Sequence, residues 1–418
     1  MNQAPVLHVL DHALPEVSGY SVRSHNLLRH LQQAGVPLRI VASSNEAGGV
    51  HETMIDGLAY THLPLRLPDS FQTPISLARR IAGLARHLQR EIRDRRIAVV
   101  HAHSPAPNGI AALWAARRTG IPIVYEMRAV WEDAAVARGR DNERSLRYRA
   151  ARQLESWLLR RVDAVAAIAK PLVAEVVGRG VPADRVFHTP NAIDSRLFRP
   201  IAADAELLAQ HQLSGATVIG FIGYFYAYEG VEELVRAFAL ALPRLPSAKL
   251  LVVGGGEGQE ALRGLVRRLG IDAAVVFVGP VPYASVQRYY SLCDVLVYPR
   301  RSSRLTELTT PLKPLEAMAM GKPLIVSDVG GLRALVSADK TGLIFPHSDH
   351  ERLADAIIAI GGDAALRARL GANARQAAVE QYDWARVVAV YQDVYRRLLS
   401  SGITEVMESS PASGGEPV

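Results

Sequence analysis

One cysteine, Cys293, stands in 418 residues, so no disulfide can form within the chain and a reducing compartment is expected. Aromatic residues are scarce, at 6%, and no nucleic-acid module motif occurs; nucleic acid is not an expected partner. No apolar run approaches the roughly 18 residues that cross a bilayer. The N-terminus, MNQAPVLHVLDHALPEVSG, has no basic stretch followed by a long apolar one. Neither a transmembrane helix nor a signal peptide is expected, and the expected location is the cytoplasm. With 49% apolar and 21% charged residues the chain can bury sizeable cores, which excludes global disorder. The net charge of +7 suits a phosphorylated substrate or an anionic lipid surface.

What is present is an alternation of short β-branched runs with longer helical patterns. VLHVL, PLRIVAS, IAVVHAH, IPIVYEM and VDAVAAIA read as buried strands of the first half; TVIGFIG, AKLLVVG, AVVFVG, DVLVYP and KPLIVSD read as those of the second. Continuous apolar runs of this kind indicate parallel strands covered on both faces, hence an α/β architecture with two sheets. The expected division is 1–190, 191–382, a final helix over 383–400 packing back on the first half, and a disordered tail over 401–418 rich in Ser, Gly, Glu and Pro. One helical stretch places Leu77, Ile81, Leu84, Leu88 and Ile92 on one face and Arg79, Arg80, Arg86, Arg90 and Arg93 on the other. It reads either as an ordinary surface helix or as a basic face for the inner surface of a membrane.

The string PLKPLEAMAMGKPLIVSDVGGL, residues 311–332, holds the densest set of ligand-binding features. Pro311 and Pro314 suit the first turn of a short helix, and Gly321 its end. A helix start offers free amides to a diphosphate, and Lys313 adds a full positive charge. Glu316, one turn on, can accept two hydrogen bonds from neighbouring ribose hydroxyls. Gly330 and Gly331 are expected to let backbone approach a ligand closely.

This string resembles the donor-binding signature of retaining glycosyltransferases of family four, which have the GT-B fold: two Rossmann-like domains facing a cleft. NAIDSRLFRP, GYFYAYEGVEELVRAF, LVVGGGEG and DVLVYP match in the family's order, so the likeness spans about residues 5–400. It is greatest to members associated with exosortase and exopolysaccharide systems. The resemblance implies transfer from a nucleotide-diphosphate sugar, UDP ahead of GDP, to a saccharide or lipid-linked saccharide, with retention of configuration. The donor is a co-substrate; neither a cofactor nor a metal is implied, and no Asp-x-Asp motif occurs.

Carried over residue by residue, Glu316 matches the second Glu of the family's Glu-x7-Glu motif. The first falls on Leu308, and Glu307 is the neighbour that can substitute. The family's basic pair for the diphosphate falls on Tyr224 and Glu229, neither of them basic. Charge must then come from Arg300, Arg301, Arg304 or Lys313, with Lys313 first and Arg304 second. Gly19, Gly223, Thr310 and Leu312 complete the expected donor contacts with Gly330 and Gly331; Gly254 to Gly258 form a tight turn near the nucleotide. In the acceptor-binding first half, His101 and His103 alternate along one strand and are read as pointing to opposite faces, so a metal pair is not expected. His103 is chosen for the cleft. Arg128 occupies the position of the family's active-site His; it cannot act as a base but can hold a phosphate or the acceptor. Glu126, Glu132 and Asp133 are the nearby acids. A sugar-nucleotide epimerase and a non-catalytic sugar-nucleotide or glycan-binding protein remain the rival readings.

Overall fold

The computed structural model describes residues 4–43, 49–65, 73–137, 139, 141–256 and 258–408, with side chains as far as residue 400. The first half builds an eight-stranded sheet from β1 (Val6–Leu10), β2 (Leu38–Ser43), β3 (His51–Ile55), β4 (Leu58–Leu63), β5 (Val99–His103), β6 (Ile123–Met127), β7 (Ala164–Ala167) and β8 (Val186–His188). Their order is β3-β4-β2-β1-β5-β6-β7-β8. Strands β1, β5, β6 and β7 are wholly buried, as continuous apolar runs require. The edge departs from the all-parallel expectation. β3 and β4 form an antiparallel hairpin closed by Asp56 and Gly57, both at positive φ. β3 alternates between half-buried and exposed residues, so it makes no apolar run to read.

The second sheet contains β9 (Thr217–Ile222), β10 (Ala248–Val253), β11 (Val275–Gly279), β12 (Val295–Tyr298), β13 (Leu324–Ser327) and β14 (Gly342–Phe345), all parallel. Their order is β11-β10-β9-β12-β13-β14. The chain reverses direction across the sheet between β9 and β12. In open α/β sheets a ligand lies outside the carboxyl ends of the strands at such a point. The loops after β9 and β12 carry Gly223 to Gly230 and Pro299 to Ser303, so the topology brings those segments together before any side chain is considered. The equivalent reversal in the first sheet lies between β1 and β5.

The last helix, Trp384–Glu408, returns to the first half. Its Trp384, Val387, Val388, Tyr391, Val394 and Tyr395 pack with Val6, Leu27, Leu31, Val99 and Val124. Each fully buried side chain of this size contributes roughly 1.5–3 kcal/mol relative to exposure. The helix runs eight residues beyond Ser400 into the segment read as a disordered tail; 409–418 lie outside the described residues. Among the described residues no helix is long and apolar enough to cross a membrane. Helix Pro74–Arg95 buries Ile81, Leu84, Leu88 and Ile92 as expected, but also Arg80, which donates to Asp11 and Asn108. Arg80 therefore leaves the basic face, and Arg79, Arg86, Arg90 and Arg93 remain exposed on it.

Candidate functional site

At the reversal in the second sheet, Lys313 opens the helix Lys313–Ala319 and its ammonium lies 3.0 Å from the carboxylate of Glu229. Arg300, just past β12, reaches the same carboxylate at 2.8 Å. Burial alone would raise the Glu229 carboxyl, but the Arg300 and Lys313 cations outweigh it and hold it at about 2. Burial lowers the Lys313 ammonium, and Glu229 partly offsets this. Two cations against one carboxylate leave one positive charge in excess. Gly223 makes this arrangement possible: a β-carbon there would meet the Lys313 side chain, with Nζ only 2.6 Å away. The absence of basic residues at 224 and 229 is thus accompanied by a relocated pair, Lys313 and Arg300, with Glu229 as their holder.

Glu316 is buried and accepts from Tyr283 Oη at 3.1 Å and Tyr290 Oη at 2.9 Å. Burial raises its carboxyl above the usual carboxylate range, with both tyrosines opposing. Those tyrosines hold the carboxylate in the manner that sugar hydroxyls would. Neither Tyr283 nor Tyr290 stands out in the sequence, where nothing marks them apart from their aromaticity. Tyr224, Tyr226 and Tyr228 alternate along the loop after β9, and their rings stack at 4.3 and 5.2 Å. The last lies under the Arg300 guanidinium. Their spacing of two was the available signal, and the short 3-10 turn Ala227–Glu229 carries the last of them. Tyr224 is 45% exposed at the outer end.

The rest of the expected donor set is used differently. Arg304 turns to the first half, 3.2 Å from Asp133 and 3.0 Å from Glu175, and does not join Lys313. Glu307 caps the Gly330 amide at 2.7 Å and accepts from Ser302 at 2.9 Å. Leu308, at the position of the family's first Glu, packs against the core of the first half. The Gly330–Gly331 pair makes room for protein and not for a ligand: β-carbons would strike Glu307 O at 2.5 Å and Thr306 O at 2.6 Å. Thr310 is a junction; its carbonyl accepts from Asn191 at 2.6 Å and its hydroxyl donates to Ile168 O at 3.3 Å. Leu312 lines a small cavity with Val22, Arg23, Asn26, Tyr283 and Glu316, so the helix Gly19–Gln33 faces Leu312 and Glu316. Gly19 itself is exposed, with nothing within 4 Å of a would-be side chain.

In the first half, Glu126, Arg128 and His103 do come together. The register pairs His8 with His101 and His103 with Glu126. His101 and His103 are two residues apart and therefore share a face, contrary to the reading from sequence; their rings stack at 4.3 Å. Glu126 is wholly buried, with Oε1 bonded to Arg23 and to Arg128 at 3.0 Å, and Oε2 to Tyr391 at 3.0 Å. Burial would raise its carboxyl, but Arg23 and Arg128 hold it well below the usual carboxylate range. With both oxygens engaged, Glu126 positions the two guanidiniums. Arg128 is equally committed, donating to Ser24 Oγ at 2.6 Å and to His103 Nδ1 at 2.7 Å. The missed members are His8, Arg23 and Tyr391; strand period two was the signal for His8 alone.

His8, His101 and His103 offer nitrogens within 4.8 Å of one another, a spacing open to a cation. Burial lowers the pKa of all three imidazoles, which favours their neutral forms. Yet Arg128 donates to His103 Nδ1, so Nε2 carries the proton and gives it to His8 Nδ1 at 3.0 Å. A cation there would need His103 to surrender that proton with two guanidiniums close by. The donor set fits an ordered imidazole chain better than a metal centre. Of the other acids, Asp133 accepts from Tyr148 at 2.7 Å, and Glu132 pairs with Arg179 at 2.9 Å beside Glu155.

Against this geometry, residues 205–377 match the family described as Glycosyl transferases group 1, and residues 18–192 the Glycosyl transferase 4-like domain. A D-inositol 3-phosphate glycosyltransferase of Saccharomonospora viridis is 30% identical over 300 residues, 69% of this chain and 68% of that protein. A GDP-mannose-dependent alpha-mannosyltransferase of Mycobacterium tuberculosis is 26% identical over 352 residues, 84% and 86% of the two chains. Among solved structures, sucrose-phosphate synthase of Thermosynechococcus elongatus superposes with a TM-score of 0.77 at 22% identity, covering 95% of this chain and all (100%) of the other. HepE of Anabaena, solved in complex with UDP, gives 0.70 at 16% identity over 95% and 100%.

Proposed function

The chain belongs to the glycosyl transferases group 1 family and has the GT-B fold, and from that premise we propose that it moves a sugar from a nucleotide-diphosphate sugar to a hydroxyl of a saccharide or lipid-linked saccharide, with retention of configuration. The observation that carries the reading is the Lys313–Glu229–Arg300 group beside Gly223, with Glu316 one helical turn away. Developing negative charge on a departing diphosphate is stabilised by cations already fixed in position, because no reorganisation is needed as the bond breaks. Glu316 is a double acceptor suited to the ribose hydroxyls, which would replace those of Tyr283 and Tyr290. The relatives named for a donor use GDP-mannose, whereas HepE was solved with UDP, so both nucleotides belong in the test.

GDP-mannose and UDP-glucose are offered to the protein with a panel of methyl glycosides, and release of nucleoside diphosphate is followed. Acceptor-dependent release is expected from one donor, falling at least about a hundredfold in Glu316→Ala, as losing about 3 kcal/mol of donor contact implies. Unchanged release in Glu316→Ala contradicts the assignment. Tight nucleotide binding with no release against any acceptor would favour the non-catalytic binding protein.

A further inference from the structure

We propose that Asp11, His12 and Ser18, in the loop after β1, form a proton relay that activates the acceptor hydroxyl; this rests on the transferase reading above. Asp11 Oδ2 lies 3.1 Å from His12 Nδ1, and His12 Nε2 lies 2.7 Å from Ser18 Oγ. In the neutral tautomer that gives its Nδ1 proton to the carboxylate, Nε2 accepts from the Ser18 hydroxyl. The three groups thus have the order of a hydroxyl, a base and a carboxylate that orients the base.

The relay is held from behind. Asp11 Oδ1 accepts from the buried Arg80 at 3.1 Å, and Arg80 also donates to Asn108 at 3.2 Å. The Asp11 amide donates to Tyr20 Oη at 3.0 Å, and the His12 ring stacks on Tyr20 at 4.6 Å. Asp11 lies beside His12 with Arg80 beyond it, and the Arg128 guanidinium lies 4.6 Å from the Tyr20 ring. Ser18 caps helix Gly19–Gln33 by accepting from the Ser21 amide at 3.1 Å. Capping requires only that oxygen. It requires neither an imidazole on the hydroxyl proton nor a carboxylate anchored by a buried arginine. The loop stands at the reversal of the first sheet, and the helix it opens faces Leu312 and Glu316. Glu126, the buried acid beside Arg128, has both oxygens engaged.

The acceptor hydroxyl gives its proton to Ser18 Oγ as the Ser18 proton passes to His12 Nε2. The acceptor oxygen bonds to the anomeric carbon, and the bond from that carbon to the phosphate oxygen breaks, its electron pair leaving with the nucleoside diphosphate. His12 then returns the proton through Ser18 to the departing phosphate or to water.

A hydroxyl polarised in this way also attacks a fluorophosphonate, forming a Ser18 Oγ–P bond, expelling fluoride and passing its proton to His12. The full chain, Ser18→Gly and His12→Gln are treated with a fluorophosphonate and the Ser18 peptide is weighed. Labelling of Ser18 in the parent, at least about a hundredfold slower in His12→Gln, is the expected result. Ser18→Gly keeps a tolerated helix cap and should lose the label. An unlabelled Ser18, or labelling indifferent to His12→Gln, overturns the relay whether or not the chain transfers sugar. Binding of GDP and UDP to His12→Gln should equal that of the parent; a parent that binds neither nucleotide fails the transferase reading and not the labelling test.

Discussion

Glu229 shows how one residue can reverse the meaning of a position. Read from the sequence, an acid in place of a base argued against a phosphate clamp. In the fold that acid sits between Lys313 and Arg300 and fixes both. Its role was not legible because it depends on loops 71 and 84 residues apart that only the strand order brings together. Lys313 and Glu316 were legible because one short helix carries both. Glu155 gives a separate test at this scale. It is buried against Glu132 and accepts from Tyr125 at 2.9 Å; burial first, then Glu132, pushes its carboxyl from 4.5 up to about 8. The native state holds a proton that the unfolded chain releases, so stability falls as pH rises from about 4.5 to about 8. The loss is roughly 1.4 kcal/mol per pH unit across that window. Glu155→Gln, which keeps an acceptor for Tyr125, should raise the unfolding temperature at pH 8 and flatten its pH dependence; an unchanged profile would contradict this.

At the scale of elements, the buried strands were legible because short apolar runs between turn signals fit burial on both faces of a sheet. The β3–β4 hairpin was not, since an edge strand need not be apolar; only Asp56-Gly57 marked it. On β5 the residues were read correctly and the geometry was not: a spacing of two means one face, and the His101–Glu126 network follows from it. The Gly330–Gly331 pair was legible as a close approach but not as to what approaches. The visitor is the helix Arg304–Leu308, which docks Leu308 on the first half and sends Arg304 to Asp133 and Glu175. Gly331→Ala would drive a β-carbon onto Thr309 O and to within 2.6 Å of Thr306 O. It should cost about 2–3 kcal/mol in chemical denaturation. Gly362→Ala, with nothing within 4 Å, should cost nothing, and equal effects at both positions would refute the packing account.

Across the whole molecule, two sheets reverse their strand order and turn those points toward a shared boundary. The chain crosses that boundary twice, at 189–216 and again near Asp383, where Ile193 pairs with Asp383. Arg23 ties both crossings together through Asn191 at 2.7 Å and Tyr391 at 3.2 Å, and Asn191 continues to the Thr310 carbonyl. The segment from Arg304 to Thr310 is therefore held by the first half as well as by its own sheet. None of these cross-boundary contacts could be read from the sequence, because each joins segments more than a hundred residues apart. The central claim is that Lys313, held by Glu229, supplies the charge for a nucleoside diphosphate. Calorimetric titration of UDP and GDP into the parent and Lys313→Ala tests it most directly. At least one diphosphate should bind the parent and bind Lys313→Ala at least about tenfold more weakly, the equivalent of about 1.4 kcal/mol. Equal affinity in the two proteins, or no binding of either nucleotide to the parent, would contradict it.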